Sequence, residues 1–236
     1  MQSVSQFGTP LLPDLVWSYS RLDSFETCPK RFAATMVHKS HVEAQDGKRA
    51  SSLAYGDAVH REMDAYIRLG KLPSLAQTKF KLVVDKVTKD AVSVTSELKV
   101  GLTRDLRLTA FFNDDVALRV IIDLTAEHRD GSLVVVDWKT SSAPREKPLQ
   151  LKLSALAGMA LRPSIKRVYA AYVYPAFPSK QEVVNRGDIS GIVQELNPRL
   201  DKLKAAIDAD SFPARQCWAC SFCPVTECAF NRARRT

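Results

Sequence analysis

The sequence predicts an α/β protein with a central mixed β-sheet flanked by helices, in a single domain over residues 1–236. Three patterns carry that reading. Apolar residues recur at helical spacing in the stretches before residue 92. A block of short, β-branched segments follows, from Val94 to Thr140. The remainder runs helix, strand, helix. Elements grouped in this way favour a mixed sheet over a doubly wound one, in which strands and helices alternate throughout.

Residues 1–16 are punctuated by Pro and Gly and read as extended. From Ser18 to about Val37 the spacing predicts one helix, with Ser20 as N-cap and Leu22, Phe25 and Phe32 along one face. Residues 52–69 predict a second helix with an apolar stripe of Leu53, Val59, Met63 and Ile67, ended by Gly70 and Pro73. Residues 74–92 predict a third, centred on LVVDKV. Strands follow at VTSELKV, RLTAFF, ALRVIIDLTAEH and SLVVVDWKT, the last two joined by a turn at Asp130-Gly131. The run VVV suits an interior strand buried on both faces. A helix over Pro148–Leu161, a strand at RVYAAYVYP and a long helix over residues 189–208 complete the order.

Composition narrows the function. With 34 Lys and Arg against 26 Asp and Glu, the net charge of +8 favours polyanionic partners, above all nucleic acid. Apolar residues at 45% and charged residues at 25% are ordinary for a globular protein. No apolar run reaches the length of a membrane span. The first residues lack a basic start, a long apolar run and a small-residue cleavage site, so the expected location is cytoplasmic, with no membrane partner.

Two constellations carry chemistry. Asp123 ends the run VII, Asp137 ends VVV, and Lys139 lies two residues further on. Side chains alternate along a strand, so Asp137 and Lys139 share a face while Trp138 points away. If the two strands pair, Asp123 reaches the same side. Two carboxylates beside an ammonium group suit phosphodiester hydrolysis: hard oxygen ligands hold Mg²⁺ or Mn²⁺, and the lysine orients water and offsets charge on phosphorus. The short Asp-x-Lys pattern also fits a plain surface ion pair. The second constellation is the cysteines: Cys28 stands alone, while Cys217, Cys220, Cys223 and Cys228 crowd the end. Tight CxxC spacing without a secretion leader argues for thiolates on a metal or cluster rather than disulfides. On the residues alone four thiolates favour Zn²⁺, with an iron–sulfur cluster as the other group such a set can hold.

In combination these segments resemble the PD-(D/E)XK nuclease superfamily, and within it the RecB-like exonucleases that include CRISPR-associated members. The resemblance rests on Ser18, Ser20 and Cys28-Pro29 in WSYSRLDSFETCPKRF, and on Gly56 and His60 in YGDAVHREMDAYI. It continues through Asp123, Asp137-Trp138-Lys139, Gln150 and the tail CSFCPVTEC, in the order of the family. Ser154 stands where the family usually has Tyr, and Val120 where a Gly often precedes the first Asp.

The resemblance implies a restriction-endonuclease-like core at 52–175, with residues 17–37 and 209–230 forming a cluster-binding region. It implies Asp123, Asp137, Lys139 and Gln150 as catalytic residues. It implies His60, Asp123, Asp137 and the Trp138 carbonyl as ligands of Mg²⁺ or Mn²⁺. It also implies a 4Fe–4S cluster on Cys28, Cys220, Cys223 and Cys228, with Cys217 as the alternative ligand and Zn²⁺ as the alternative metal. Glu97 is a possible extra acid, weighed against an ordinary strand residue. The implied activity is that of a DNA exonuclease in recombination, repair or phage DNA processing, acting alone, as a homo-oligomer or with a recombination or replication partner. A weakly catalytic DNA-binding scaffold is the other reading. Basic groups at Lys30-Arg31, Arg145-Glu146-Lys147, Lys166-Arg167, Arg232, Arg234 and Arg235 are candidates for phosphate contacts. Phe32 and Trp138 are candidates either for base stacking or for packing.

Overall fold

Seven strands form one mixed sheet in the computed structural model, which describes residues 4–43, 47–141 and 147–232. The strands are β1 (Trp17–Ser18), β2 (Ala91–Leu102), β3 (Leu108–Thr109), β4 (Leu118–His128), β5 (Ser132–Trp138), β6 (Arg167–Val173) and β7 (Lys180–Asn185). Their order is β3-β2-β4-β5-β6-β7. Only β5–β6 in that path is parallel, and its crossover is the helix α5 (Pro148–Leu161). Strand β1 pairs in parallel with β4, Trp17 beside Leu118 and Ser18 beside Arg119.

Register explains why the site lies where it does. The β4–β5 ladder runs only from Glu127 opposite Leu133 to Leu124 opposite Val136. Beyond it β1 takes up an end of β4 that β5 leaves unpaired. Asp123 and Asp137 sit where the two strands part. The Asp130-Gly131 turn closes the hairpin as its sequence predicts, with Gly131 at φ +78°, which only glycine adopts at no steric cost.

The sheet is covered on both faces. Helices α3 (Gly47–Leu69) and α4 (Thr78–Thr88) bring Val59, Met63, Phe80 and Val84 against Leu124, Val136, Trp138 and Val173. On the other face α5 and α6 (Ile189–Asp208) pack Leu149, Leu153, Leu156, Leu196 and Leu200 into a cluster with Ile122, Leu133 and Val135. Trp138 is buried edge-on to Phe80, ring centroids 5.6 Å apart, so it faces away from Asp137 and Lys139 as strand alternation requires. Among the described residues no helix is long and apolar enough to cross a membrane.

Several sequence expectations are corrected. The helix expected over Ser18–Val37 is three pieces: α1 (Tyr19–Thr27), α2 (Pro29–Phe32) and a π-helical turn at Ala33–Val37. The cause is Pro29, which pushes Cys28 to extended backbone at φ −160°, ψ 108°. The N-cap is Ser18, whose side chain accepts the Arg21 amide at 3.4 Å, and Ser20 lies inside the helix. The third helix spans only Thr78–Thr88, and RLTAFF contributes only Leu108–Thr109 to the sheet. Strand β7 was not expected; its alternation is weak because it is a polar edge strand. Leu53, expected on the buried stripe of α3, is exposed. Phe32 and Trp138 are both buried, which excludes them from stacking on bases.

Candidate active site

The end of β5 fixes the first part of the site. Asp137 and Lys139 project to one face, with Lys139 Nζ 2.6 Å from Asp137 Oδ1. Asp123 Oδ2 accepts the Trp138 backbone amide at 2.7 Å. A side chain thus takes over where the β4–β5 backbone ladder stops, and it ties the two strand ends together. In extended backbone the N–H and C=O of one residue point toward the same neighbour, so the Trp138 carbonyl also faces the Asp123 side.

Two further elements bring ligands to Asp123. His60 comes from the middle of α3, with Nδ1 3.5 Å from Asp123 Oδ1 and 3.0 Å from Glu97 Oε1. Gly56, one turn earlier, allows this approach: a Cβ there would meet the Thr140 hydroxyl at 3.3 Å, tighter than ordinary contact. Glu97 lies opposite Asp123 in the β2–β4 register, between the pairs Ser96–Leu124 and Leu98–Ile122. Its backbone is left-handed at φ +49°. Around this point the alternation of β4 changes phase, since Ile122 packs with α5 and α6 while Leu124 packs with α3 and α4. A strained backbone of this kind costs about 1–3 kcal/mol and persists where the surroundings demand it.

His60, Glu97 and Asp123 each offer an atom within 4.8 Å of the others. One imidazole nitrogen and two carboxylate oxygens at that spacing fit a divalent cation. Glu97, weighed above as an ordinary strand residue, therefore belongs to the site. Asp137 lies outside this trio; its oxygens are taken by Lys139 and by Gln150, whose Nε2 donates to Oδ2 at 2.6 Å.

Helix α5 supplies Gln150, and β6 supplies a residue that sequence reasoning missed. The Tyr172 hydroxyl lies 2.8 Å from the Lys147 carbonyl and 3.1 Å from Gln150 Oε1, which also accepts from Lys139 Nζ at 3.2 Å. The Lys139 ammonium sits 4.8 Å from the Tyr172 ring centroid. Tyr172 pairs with Asp137 across β5–β6, so strand register alone brings it to the site. Ser154 is buried and turned inward, its hydroxyl donating to the Gln150 carbonyl at 3.1 Å. It is hydrogen-bonded within α5 and takes no part in the cluster.

The electrostatics favour a cation. Burial raises the Asp123 pKa to about 7, with the Asp137 charge adding to the effect. Burial also raises Asp137, against the lowering effect of Lys139. His60 is raised by its hydrogen bond to Glu97, then by Asp123, against the effect of burial. Carboxylates held this poorly solvated are stabilised in their charged form by a divalent ion.

Away from this centre, Cys28, Cys217, Cys220, Cys223 and Cys228 line one enclosed space with Lys30, Arg31 and Asn231. Cys28 reaches it from the α1–α2 break, Cys217 from the N-cap of a 3₁₀ turn at Trp218–Phe222, Cys220 from that turn, and Cys223 and Cys228 from the irregular chain after it. The Cys217 amide donates to Cys220 Sγ at 3.3 Å, and Asn231 Nδ2 donates to the carbonyls of Cys223 and Val225 at 2.9 Å each.

The expected phosphate contacts separate. Arg31 and Lys147 line the groove beside the site, paired with Glu43 and Asp23 respectively. Lys166 and Arg167 lie at the opposite end of β5 and β6, beside Arg129. Arg145, Glu146, Arg234 and Arg235 lie outside the described residues.

No curated sequence matches the chain at a significant level. The crystal structure of SSO0001 is similar at 14% identity and TM-score 0.46, over 92% of this chain and 87% of that one. A Eubacterium rectale structure provisionally named an exonuclease is similar at 10% identity and TM-score 0.45, over 94% and 88% of the two chains. The family model of the PD-(D/E)XK nuclease superfamily matches residues 16–97 and 84–228, so this chain belongs to that superfamily.

Proposed function

We propose that the protein is a Mg²⁺- or Mn²⁺-dependent DNA exonuclease acting on single strands or strand ends in DNA repair, recombination or phage DNA processing. The observation that carries this reading is the convergence of His60, Glu97, Asp123, Asp137 and Lys139, of which Lys139 also lines, with Gln150, a groove of about 1030 Å³. His60, Glu97, Asp123, Asp137 and the Trp138 carbonyl are the residues that would hold the cation. When bound, it would polarise the scissile phosphate and acidify a water. Lys139 holds a proton-donating ammonium beside that position, where it orients the attacking water and offsets charge developing on phosphorus. Gln150 keeps Lys139 and Asp137 in register by accepting from one and donating to the other.

We also infer that Cys28, Cys220, Cys223 and Cys228 ligate a 4Fe–4S cluster, with Cys217 as the remaining thiol. Support comes from five thiols around one enclosed space. Iron and sulfide analysis separates this from a colourless zinc site.

A timed digest of end-labelled linear single-stranded, linear duplex and circular DNA tests the activity. The expected result is Mn²⁺- or Mg²⁺-dependent loss of linear DNA with circles spared. Equal cleavage of circles would sink the exonuclease reading. Intact DNA in every lane would sink the nuclease reading.

A further inference from the structure

The groove beside the site has a wall with no catalytic role. Its lining includes Arg21 from the first turns of α1, Arg119 from β4 and Phe111 from the loop after β3. Ser18 of β1 pairs with Arg119, and α1 begins at the next residue, so the end of one strand and the start of one helix set the two arginines on a common wall.

Neither arginine has a carboxylate partner among the described residues. The two acids of the groove wall, Asp23 and Glu43, are taken by Lys147 and Arg31. Arg21 Nε is buried with no hydrogen-bond partner, and its guanidinium lies 5.5 Å from the Phe32 ring centroid. Burial and the neighbouring Arg119 charge lower its pKa from the ordinary value. Two like charges lining one groove, without a carboxylate between them among the described residues, favour an anion there. The N-terminus of α1 opens on the same groove, with no acidic residue in its first turn, and adds to the positive potential.

Aromatic rings adjoin this pair. The Arg119 guanidinium sits 5.7 Å from the Phe111 centroid and 5.3 Å from that of Phe112, while its Nε donates to the Phe111 carbonyl at 2.7 Å. The two rings meet edge to face at 5.0 Å, and Phe112 is 75% exposed. A large apolar ring held rigidly beside a cation, yet left in water, suits a planar π-face. Bases in a duplex hide their faces in the stack, whereas those of a single strand do not.

We propose that Arg21 and Arg119 clamp one backbone phosphate of a single DNA strand lying in the groove, with Phe112 as the stacking surface for the adjoining base. This deepens the nuclease reading and rests on it for the direction in which the strand leads. These residues position substrate and touch none of the reacting atoms.

The test is binding of a fluorescently labelled single-stranded oligothymidine without divalent cation, over a series of salt concentrations. Replacing both arginines, Arg21→Gln with Arg119→Gln, is expected to reduce the log–log salt slope by about 0.7, the value for one phosphate contact on a single strand. Arg119→Lys keeps the charge and is expected to keep the slope, which controls for damage to the β4 edge. Phe112→Ala, at an exposed position, is expected to weaken binding about tenfold with the slope unchanged and duplex binding unaffected.

An unchanged slope in the double variant would overturn the clamp, and an equal loss on duplex and single strand would overturn the stacking role. The two readings fail separately. If wild type leaves DNA intact with Mg²⁺ and Mn²⁺ while the slope still drops, the clamp stands and the nuclease reading falls. If wild type and the double variant digest dilute single strands at the same rate, the clamp falls and the nuclease reading stands.

Discussion

The acidic centre and the cysteine region are held in place by opposite means. At the centre, six elements deliver side chains to positions fixed by regular backbone hydrogen bonding: Asp137 and Lys139 from the end of β5, Asp123 from β4, Glu97 from β2, Tyr172 from β6, His60 from α3 and Gln150 from α5. The cysteine region has one 3₁₀ turn at Trp218–Phe222 followed by irregular chain, and its thiols meet across the widest sequence separation in the site. The first is held by backbone hydrogen bonds of the sheet and helices. The second is held by side-chain bonds such as those of Asn231. Damage to the centre should therefore cost activity at constant fold, and damage to the cysteines should cost fold first.

Asp137→Asn gives the largest expected effect on activity. It keeps the shape while removing the charge that Lys139 faces. Digestion should fall at least about 100-fold, on the scale of losing one transition-state contact, with the melting temperature nearly unchanged. Cys28→Ser should do the reverse, removing any visible absorption and lowering stability by about 3–5 kcal/mol, the scale for a cross-link that closes a long loop. A Cys28→Ser protein as stable as wild type would erase the contrast between the regions.

A smaller effect follows from titration. Asp123, Asp137 and His60 all have native pKa values raised from their ordinary ones, Asp123 from 3.8 to about 7. Between those two pH values the native state binds more protons than the unfolded chain, so metal-free stability should fall as pH rises. The His60 contribution has the same sign and continues the fall above its ordinary value of 6.5. Added Mn²⁺ should reverse the loss, more at pH 7 than at pH 5. Thermal melts with and without the ion read this directly, and a metal-free protein that gains stability from pH 4 to 7 would contradict it.

The smallest effect sharpens the role of Glu97. Glu97→Gly and Glu97→Ala both lose the His60 contact, but only Gly relieves the left-handed backbone, so without metal the Gly variant should be the more stable of the two by about 1 kcal/mol, a shift of roughly 2–4 °C at this chain length. Both changes should weaken Mn²⁺ binding. Equal stability of the two variants would show that the strain at Glu97 is absent.

Much of this organisation is legible in the sequence because it follows a period. Asp123 and Asp137 end apolar runs, and Lys139 follows at the spacing that keeps it on the same face. His60 and Gln150 come from the resemblance rather than from spacing, and in the structure they lie next to Asp123 and Asp137 respectively. The residues that escaped broke a period or hid within one. Glu97 is legible only as a possible extra acid, because it reaches the site through a left-handed φ that no spacing rule contains. Tyr172 reads as one more apolar residue of a buried strand, and its hydroxyl gains meaning only through its register with Asp137. Phe111 and Phe112 continued a strand pattern that stops at Thr109.

The separation in sequence of His60, Asp123 and Asp137 from the tail cysteines also has a meaning in time. His60 through Lys139 leave the ribosome well before Cys220, at about 5–20 residues per second. For those seconds the hydrolytic residues can assemble while Cys28, already made, waits for its partners. Trp218, which forms part of the groove wall, arrives with the tail. A nascent chain stalled before the tail would thus carry His60 through Lys139 without the Trp218 part of the groove wall.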